Sequence, residues 1–410
     1  MTIATSSLVF QLSGTCNNYP WGKKGTQSLA ARLCANTLGD KFEIDDDQFY
    51  SEMWFGDYPK FPARVLETGE LLKDVLDRNK EKLLGKKVIE NLDGQLPFLP
   101  KILSINKALP LQLHPKKELA TKLHAENPED FSDPNHKPEI AVALTKFELF
   151  SGFKPLPELE SLFTLPPLTQ FLPASTTTWT PTTLRETTRT ILKSPPATIH
   201  QALTALSHLP ASAFPKSAAH IPSLLPRLAA QHGLSDPAVL VALACTNFLV
   251  LGPGDAVFVP AGGVHAYLSG DIVECMARSD NVLNAGLCAA EERHDADVFA
   301  DAMVTGYGEV AEDVRLWSGD SARSRSGMTV VYSPPMGEFD MLRAELGVGD
   351  GDEIVASEGP GVLIVTKGSG IMKADGRQFD LSEGFIFFVA PGVKLVWETV
   401  NGMEIHMAYV

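Results

Sequence analysis

The chain has 410 residues and a formal net charge of −15 at pH 7. Hydrophobic residues make up 44% and charged ones 21%, an ordinary globular composition in a chain long enough for two or three domains. The acidic balance argues against nucleic acid or an anionic membrane as the main partner, but leaves room for a phosphorylated small molecule gripped by a few Lys or Arg side chains.

The five cysteines (Cys16, Cys34, Cys245, Cys275, Cys288) are odd in number and form no C-x-x-C pair, as in reduced cytosolic proteins. The opening MTIATSSLVFQLSG lacks a basic n-region and has only a very short apolar run, so no signal peptide is expected. The longest apolar stretches, such as AVLVALACTNFLVL (Ala238 to Leu251), fall short of the roughly 20 residues that span a bilayer. A cytoplasmic protein without a membrane partner is predicted.

Along the chain, residues 1–154 mix strand-like and short helical runs. SEMWFGDYP (Ser51 to Pro59) reads as a strand closed by a turn. TGELLKDVLDRNKEKLLG (Thr68 to Gly85) has the helical period, a threonine start and a glycine stop. In LQLHP (Leu111 to Pro115), Gln112 and His114 alternate with leucines, so on a strand both point to one face. Residues 155–235 shift to Pro, Thr, Ser, Leu and Ala and are predicted to be a helical insertion. TLRETTRTILKS and ATIHQALTALSHL are its amphipathic helices, SPPA and LPASAFP its breaks, and PASTTTWTPTT an exposed loop.

After residue 245 the texture becomes β-rich, and FLVLGPGDAVFVPAGGVHAYL reads as strands broken by GPGD and PAGG turns. A similar succession returns in residues 326–410, in DLSEGFIFFVAPGVKLVWE (Asp380 to Glu398). This weak repeat predicts a mainly β protein with two cupin-like jelly-roll (double-stranded β-helix) units, a bicupin arrangement interrupted by the helical insertion. Residues 1–154 and 236–325 form the first unit and 326–410 the second. The second has Val393 and Lys394 where the first has Val264 and His265, so metal binding is expected only of the first.

By residue type, Gln112, His114, Glu139 of NHKPEI and His265 of GGVHAYL make a donor set that suits Zn²⁺ and would accept other divalent ions. A Gln-x-His pair on a strand is equally at home as a structural or exposed pair, so the residue types alone leave both readings open. The remaining histidines (His124, His200, His208, His220, His232, His294, His406) sit in helical or loop contexts and are expected to be incidental.

LPFLPKILSINKALPLQLHPKKELATKLH followed by DPNHKPEIAVALTKFELFSGF resembles the type I phosphomannose isomerases. So do NYPWGKKG (Asn18 to Gly25), EMWFGDYP, VPAGGVHAYLSGDIVECMARSDN (Val259 to Asn281) and YSPPMGEFDML (Tyr332 to Leu342). The resemblance implies one zinc ion per chain on Gln112, His114, Glu139 and His265. It also implies interconversion of mannose 6-phosphate and fructose 6-phosphate through a cis-enediol, feeding GDP-mannose and mannosylation, in a monomer. Lys137 and Asp280 fall where the family meets its substrate, with Asp280 or a zinc-associated group as the base. Glu274 is read either as orienting a ligand or as a strand residue paired with Arg278.

The chain departs from the family on the substrate side. The family reads SDNxxRAGLTPK, whereas SDNVLNAGLCAAEE puts Asn284 at the arginine and Ala289 and Ala290 in the following basic segment. Asn lacks the charge and the planar fork of a guanidinium. Pro110 replaces a serine two positions before Gln112, and QHGLSDPAVLVA replaces a YPGDIG passage. Lys23, Lys24, Lys107, Lys116 and Arg293 are basic residues near matched motifs that could compensate. Two further readings follow from these departures: a non-catalytic metal-binding cupin, and an isomerase of a related sugar.

Overall fold

A computed structural model describes residues 7–174, 176, 178–306 and 311–410. The protein is mainly β, built from a ten-stranded and an eleven-stranded antiparallel sheet system, each folded over on itself as a cupin-like jelly roll. In each unit one long strand passes from one layer into the other. His265–Ala277 pairs through its first half with Phe147–Phe153 and through its second with Phe98–Ile105 and Glu139–Ala143. Gly361–Ala374 does the same, first with Met403–Tyr409 and Ile386–Val389, then with Arg377–Ser382 and Leu395–Glu398.

A glycine sits at each crossing for a steric reason. Gly270 has φ +128° and a Cβ there would lie 2.7 Å from the Lys146 carbonyl oxygen; Gly368 has φ +76° and would meet the Gly402 carbonyl at 2.1 Å. Only glycine tolerates such φ values and so close an approach of a second backbone. The weak sequence repeat thus corresponds to a repeated strand path.

The strand Val9–Ser13 belongs to the C-terminal sheet, in register Val9↔Val389 through Leu12↔Ile386. One continuous apolar core therefore includes Leu12, Val65 and Phe98 together with Leu363, Phe388 and Trp397.

The helical insertion grows from a strand pair, Phe147–Phe153 with Thr246–Leu251, whose register includes Phe150↔Phe248. Its two ends are thus already adjacent, and a long excursion between them adds little closure entropy. Proline occupies the first turn of Pro166–Thr169, Pro181–Lys193, Pro196–Ser207 and Pro237–Cys245, where its missing N–H has no intrahelical partner to lose. The helices bury Leu184, Ile191, Leu203 and Leu228 in a core of their own, which also takes in Leu111, Leu113 and Val264 beside the site described below.

Two local expectations differ. Thr68 to Gly85 is not one helix but Leu72–Arg78 and Lys80–Leu83, and Gly85 opens a third, Gly85–Asn91. Asn79, at φ −136° and ψ 35°, breaks the run while Leu72, Val75, Leu76 and Leu83 all stay buried, so the apolar period was met by bent segments. In PASTTTWTPTT, Ser175 and Thr177 lie outside the described residues, but Trp179 is buried against Phe163 with ring centroids 5.0 Å apart. Burial of an indole outweighs the polar threonines around it.

Candidate metal centre and its cavity

The expected ligand positions converge at strand ends in the first cupin unit. His114 follows Leu111–Leu113, Glu139 opens Glu139–Ala143 and His265 opens His265–Ala277. Gln112 lies directly opposite His265 in the strand pairing, and cross-strand partners share a face. The Gly262 N–H donates to the His114 carbonyl over 2.6 Å, which ties the PAGG turn to the LQLHP strand. His114, Glu139 and His265 are fully buried, and their ligand atoms all lie within 4.8 Å of one another.

Hydrogen bonding determines what these side chains present. Nδ1 of His114 stands 2.7 Å from the Asn281 carbonyl and Nδ1 of His265 stands 3.0 Å from the Gly263 carbonyl. A carbonyl can only accept, so each Nδ1 carries the proton and each Nε2 of a neutral ring offers a lone pair. Both Nε2 atoms lie 3.2 Å from a Glu139 oxygen, yet neither is in hydrogen-bond geometry with any group. Burial, then the charge of Lys137, brings the His114 imidazole down to about 4, so it is neutral at pH 7.

Two nitrogen lone pairs and a carboxylate thus face one point in a dry interior, an arrangement that is repulsive unless a cation sits among them. Tetrahedral zinc, with bonds near 2.1 Å, places its ligands about 3.4 Å apart, close to the observed spacing. The residues therefore fit a divalent ion with nitrogen and oxygen donors. The Tyr267 hydroxyl donates to Glu139 Oε1 over 2.7 Å and fixes the carboxylate. In the second unit the position matching His265 is Lys394, whose Nζ pairs with Glu353 on the surface at 2.7 Å.

The centre forms part of the wall of a cavity of about 1230 Å³, also lined by Lys137, Asp280, Lys101, Glu274 and Asn284.

A family model, phosphomannose isomerase type I, catalytic domain, matches residues 9–156. The mannose-6-phosphate isomerase of Cryptococcus neoformans is 37% identical over 438 residues, covering 99% of this chain and 99% of that protein. That of Saccharomyces cerevisiae is 34% identical over 411 residues, covering 94% of each. The chain belongs to the mannose-6-phosphate isomerase family. In three dimensions it is similar to mannose 6-phosphate isomerase (apo form) from Salmonella typhimurium, with a TM-score of 0.79 at 23% identity over 98% of this chain and 99% of that one. At that identity the likeness shows the shared fold.

Among the family positions, Lys137 is buried to 7% exposure. Its loop is held by the SDN segment: Asn281 Nδ2 donates to the Asn135 carbonyl at 2.9 Å and Ser279 Oγ to Asp133 at 2.8 Å. Asp280 lines the same cavity and pairs with Lys60 Nζ at 2.9 Å. Burial raises its pKa, but the charges of Lys137, Lys101 and Lys60 outweigh that and leave it ionised. Glu274 does not pair with Arg278, which is bound to Asp57. Its Oε2 lies 3.6 Å from Lys101 Nζ, directly across the strand pairing, and burial, then the Glu139 charge, pushes the carboxyl up to about 8.

Sequence reasoning missed Lys101, Glu52 and Lys60. Lys101 lies over the Trp54 ring at 4.0 Å and 3.8 Å from Glu52. A signal existed: Lys101 interrupts FLPKILSI, a strand buried at every position, and a lysine there needs partners. Of the basic residues that could compensate for Asn284, Lys23 is bound to Asp271 and Lys24 lies over Phe49. Lys116 lines a separate pocket with Arg185, and Arg293 is bound to Asp236 at 3.1 Å. Lys107 lines the cavity, and so does His232, which was expected to be incidental.

Proposed function

We propose that the chain interconverts mannose 6-phosphate and fructose 6-phosphate through a cis-enediol, with one zinc ion held by Gln112, His114, Glu139 and His265. The observation that carries this reading is the pair of unpartnered Nε2 atoms of His114 and His265 beside Glu139, at a cavity that His114 and Glu139 line together with Lys137 and Asp280.

From aldose to ketose, the proton on C2 leaves, a proton is delivered to C1, and a proton passes between O1 and O2, with no net oxidation. The ionised Asp280 accepts the carbon-bound proton and returns it. Lys137 donates hydrogen bonds to the sugar oxygens and offsets the negative charge that grows on them. The chemistry a bound zinc ion supplies is Lewis acidity toward those oxygens.

Domain limits of 1–154 with 236–325, 155–235 and 326–410 accompany this reading, except that the insertion's last helix, Pro237–Cys245, carries its end to the strand at Thr246; so do a monomeric state, a cytoplasmic location and a supply of mannose 6-phosphate to GDP-mannose and mannosylation. Among the described residues no helix is long and apolar enough to cross a membrane, which agrees with it.

One observation favours a second reading, isomerisation of a related sugar without phosphate. The cavity wall that carries Asn284 also carries Glu129, Asp130 and Glu292, which repel a phosphate dianion.

The test is conversion of fructose 6-phosphate to mannose 6-phosphate by the zinc-loaded protein and after chelation. Chelator-sensitive turnover is expected. Its absence in protein shown to hold zinc would sink the isomerase reading and leave the non-catalytic cupin; turnover of the unphosphorylated sugar alone would establish the second reading.

A further inference from the structure

We infer that Lys107 and His232 form the anion subsite of this cavity, holding the phosphate end of the sugar without a cation at position 284. The inference deepens the proposed isomerase function and rests on it for the identity of the substrate.

Two segments remote in sequence meet at this corner. The Ala108 N–H donates to Gln231 Oε1 over 3.2 Å, which ties the segment that carries Lys107 to the one that carries His232. Both line the cavity, as do Ala108 and Gln231. Lys107 is pinned through its own N–H to the Trp21 carbonyl at 3.0 Å. Among the described residues, no ion pair engages the Lys107 ammonium, whereas Lys60 is bound to Asp280 and Lys101 stands between Glu52 and Glu274. His232 Nε2 is buried without a hydrogen-bond partner.

Burial, then the charges of Lys107 and Arg293, brings the His232 imidazole down to about 4. Arg293 cannot swing into the cavity, because Asp236 and the Cys288 carbonyl hold its guanidinium at 3.1 and 3.2 Å. Asp236 is committed elsewhere as well, accepting from the Ala238 and Leu287 N–H groups. An ammonium and an imidazole N–H, with a fixed guanidinium behind them, are donors suited to a phosphate monoester.

The chain's departures from its family coincide here. His232 lies in QHGLSDPAVLVA, the passage that replaces the family's, and Arg293 follows the segment that lost its basic residue. Position 284 is an unsuitable anchor: Asn284 Nδ2 is bound to the Glu292 carbonyl at 3.2 Å, with Glu129 and Asp130 on the same cavity's wall.

The experiment measures binding of inorganic phosphate to the zinc-loaded protein by calorimetry, beside isomerase kinetics. Lys107→Met and His232→Gln are each expected to weaken phosphate binding about tenfold or more, the loss of one charge-assisted or buried hydrogen bond. They should raise KM for mannose 6-phosphate by a similar factor with kcat within about threefold, as removal of an interaction common to ground and transition states does. Lys116→Met, in a separate pocket, is the control and should leave phosphate affinity unchanged. Unchanged phosphate affinity in both cavity variants, an equal loss in the control, or no phosphate binding by the wild type would overturn the subsite. A wild type that binds phosphate through Lys107 but turns nothing over would sink the isomerase reading alone.

Discussion

The Tyr267 hydroxyl donates to Oε1 of Glu139 over 2.7 Å, and the same Oε1 lies 3.2 Å from Nε2 of His265. One phenol thus orients the carboxylate that the two imidazoles face. Removing it in Tyr267→Phe leaves the ring packing against Phe147 intact but frees the carboxylate to rotate. Zinc affinity should fall about 10-fold to 100-fold, the usual cost of losing such a support. Competition with a chromogenic chelator measures this, and an affinity within twofold of wild type would mean that Glu139 is held by packing alone.

Because the donor set is repulsive without a cation, zinc should stabilise the fold as well as the chemistry. At free zinc about 100 times the dissociation constant, the gain is about 2.7 kcal/mol. A thermal melt with zinc and after chelation reads it. Glu139→Gln, which removes the anion at the centre, should reduce that shift sharply; an undiminished shift would place the ion elsewhere.

His136 Nε2 and Glu338 Oε1, 2.6 Å apart, join the loop that carries Lys137 to the second unit. The hydrogen bond from His136, more than any other influence, lowers the Glu338 pKa. Glu338→Ala should cost about 1 kcal/mol of stability. It should also raise KM for the sugar phosphate, with Glu338→Gln intermediate because the amide oxygen can still accept. Urea unfolding and steady-state kinetics on the same samples test both; identical KM values for all three proteins would limit the contact to stability.

Glu148 ties the insertion to the barrel, bound by Arg227 of Ile221–His232 and by Ser269 at 3.0 Å. Burial raises its pKa, but hydrogen bonds from Lys146, Arg227 and Ser269 prevail and lower it to about 2, against an ordinary 4.5. A folded value below the unfolded one means that the unfolded chain takes up protons first as pH falls. The contribution is therefore complete above about pH 4.5 and is lost as pH drops toward about 2. Urea unfolding of wild type and Glu148→Gln should show a stability gap at pH 6 that narrows at pH 3; a constant gap would remove titration of Glu148 as its cause.

Restoring the family's arginine with Asn284→Arg should leave KM within about threefold, since the phosphate anchor inferred above is Lys107 with His232 and the cavity also carries Glu129, Asp130 and Glu292. A tenfold gain in kcat would show that the missing guanidinium limits catalysis.

Much of the centre was legible before any coordinates. Alternation in LQLHP is a local property of a strand; Gln112 lies in Leu111–Leu113, His114 follows directly after it, and both line the cavity. The order of the motifs carried the family, and PAGG and APG turns marked the two repeated units. Apolar period found the helices of the insertion, but Asn79 broke one run where packing against the core required a bend.

What only the tertiary structure decided is who meets whom. Backbone hydrogen bonds carry no address, so nothing in VFQLS says that Val9–Ser13 pairs with Ile386–Val389 of the second unit. The exchange of Arg278 for Lys101 as the neighbour of Glu274, and the bond from Ala108 to Gln231 that joins the segments of Lys107 and His232, have the same origin. Residue types and short-range spacing determined the chemistry this chain can attempt. Long-range strand pairing and burial decided which charges stand together, and on the substrate side that pairing is what sets the function.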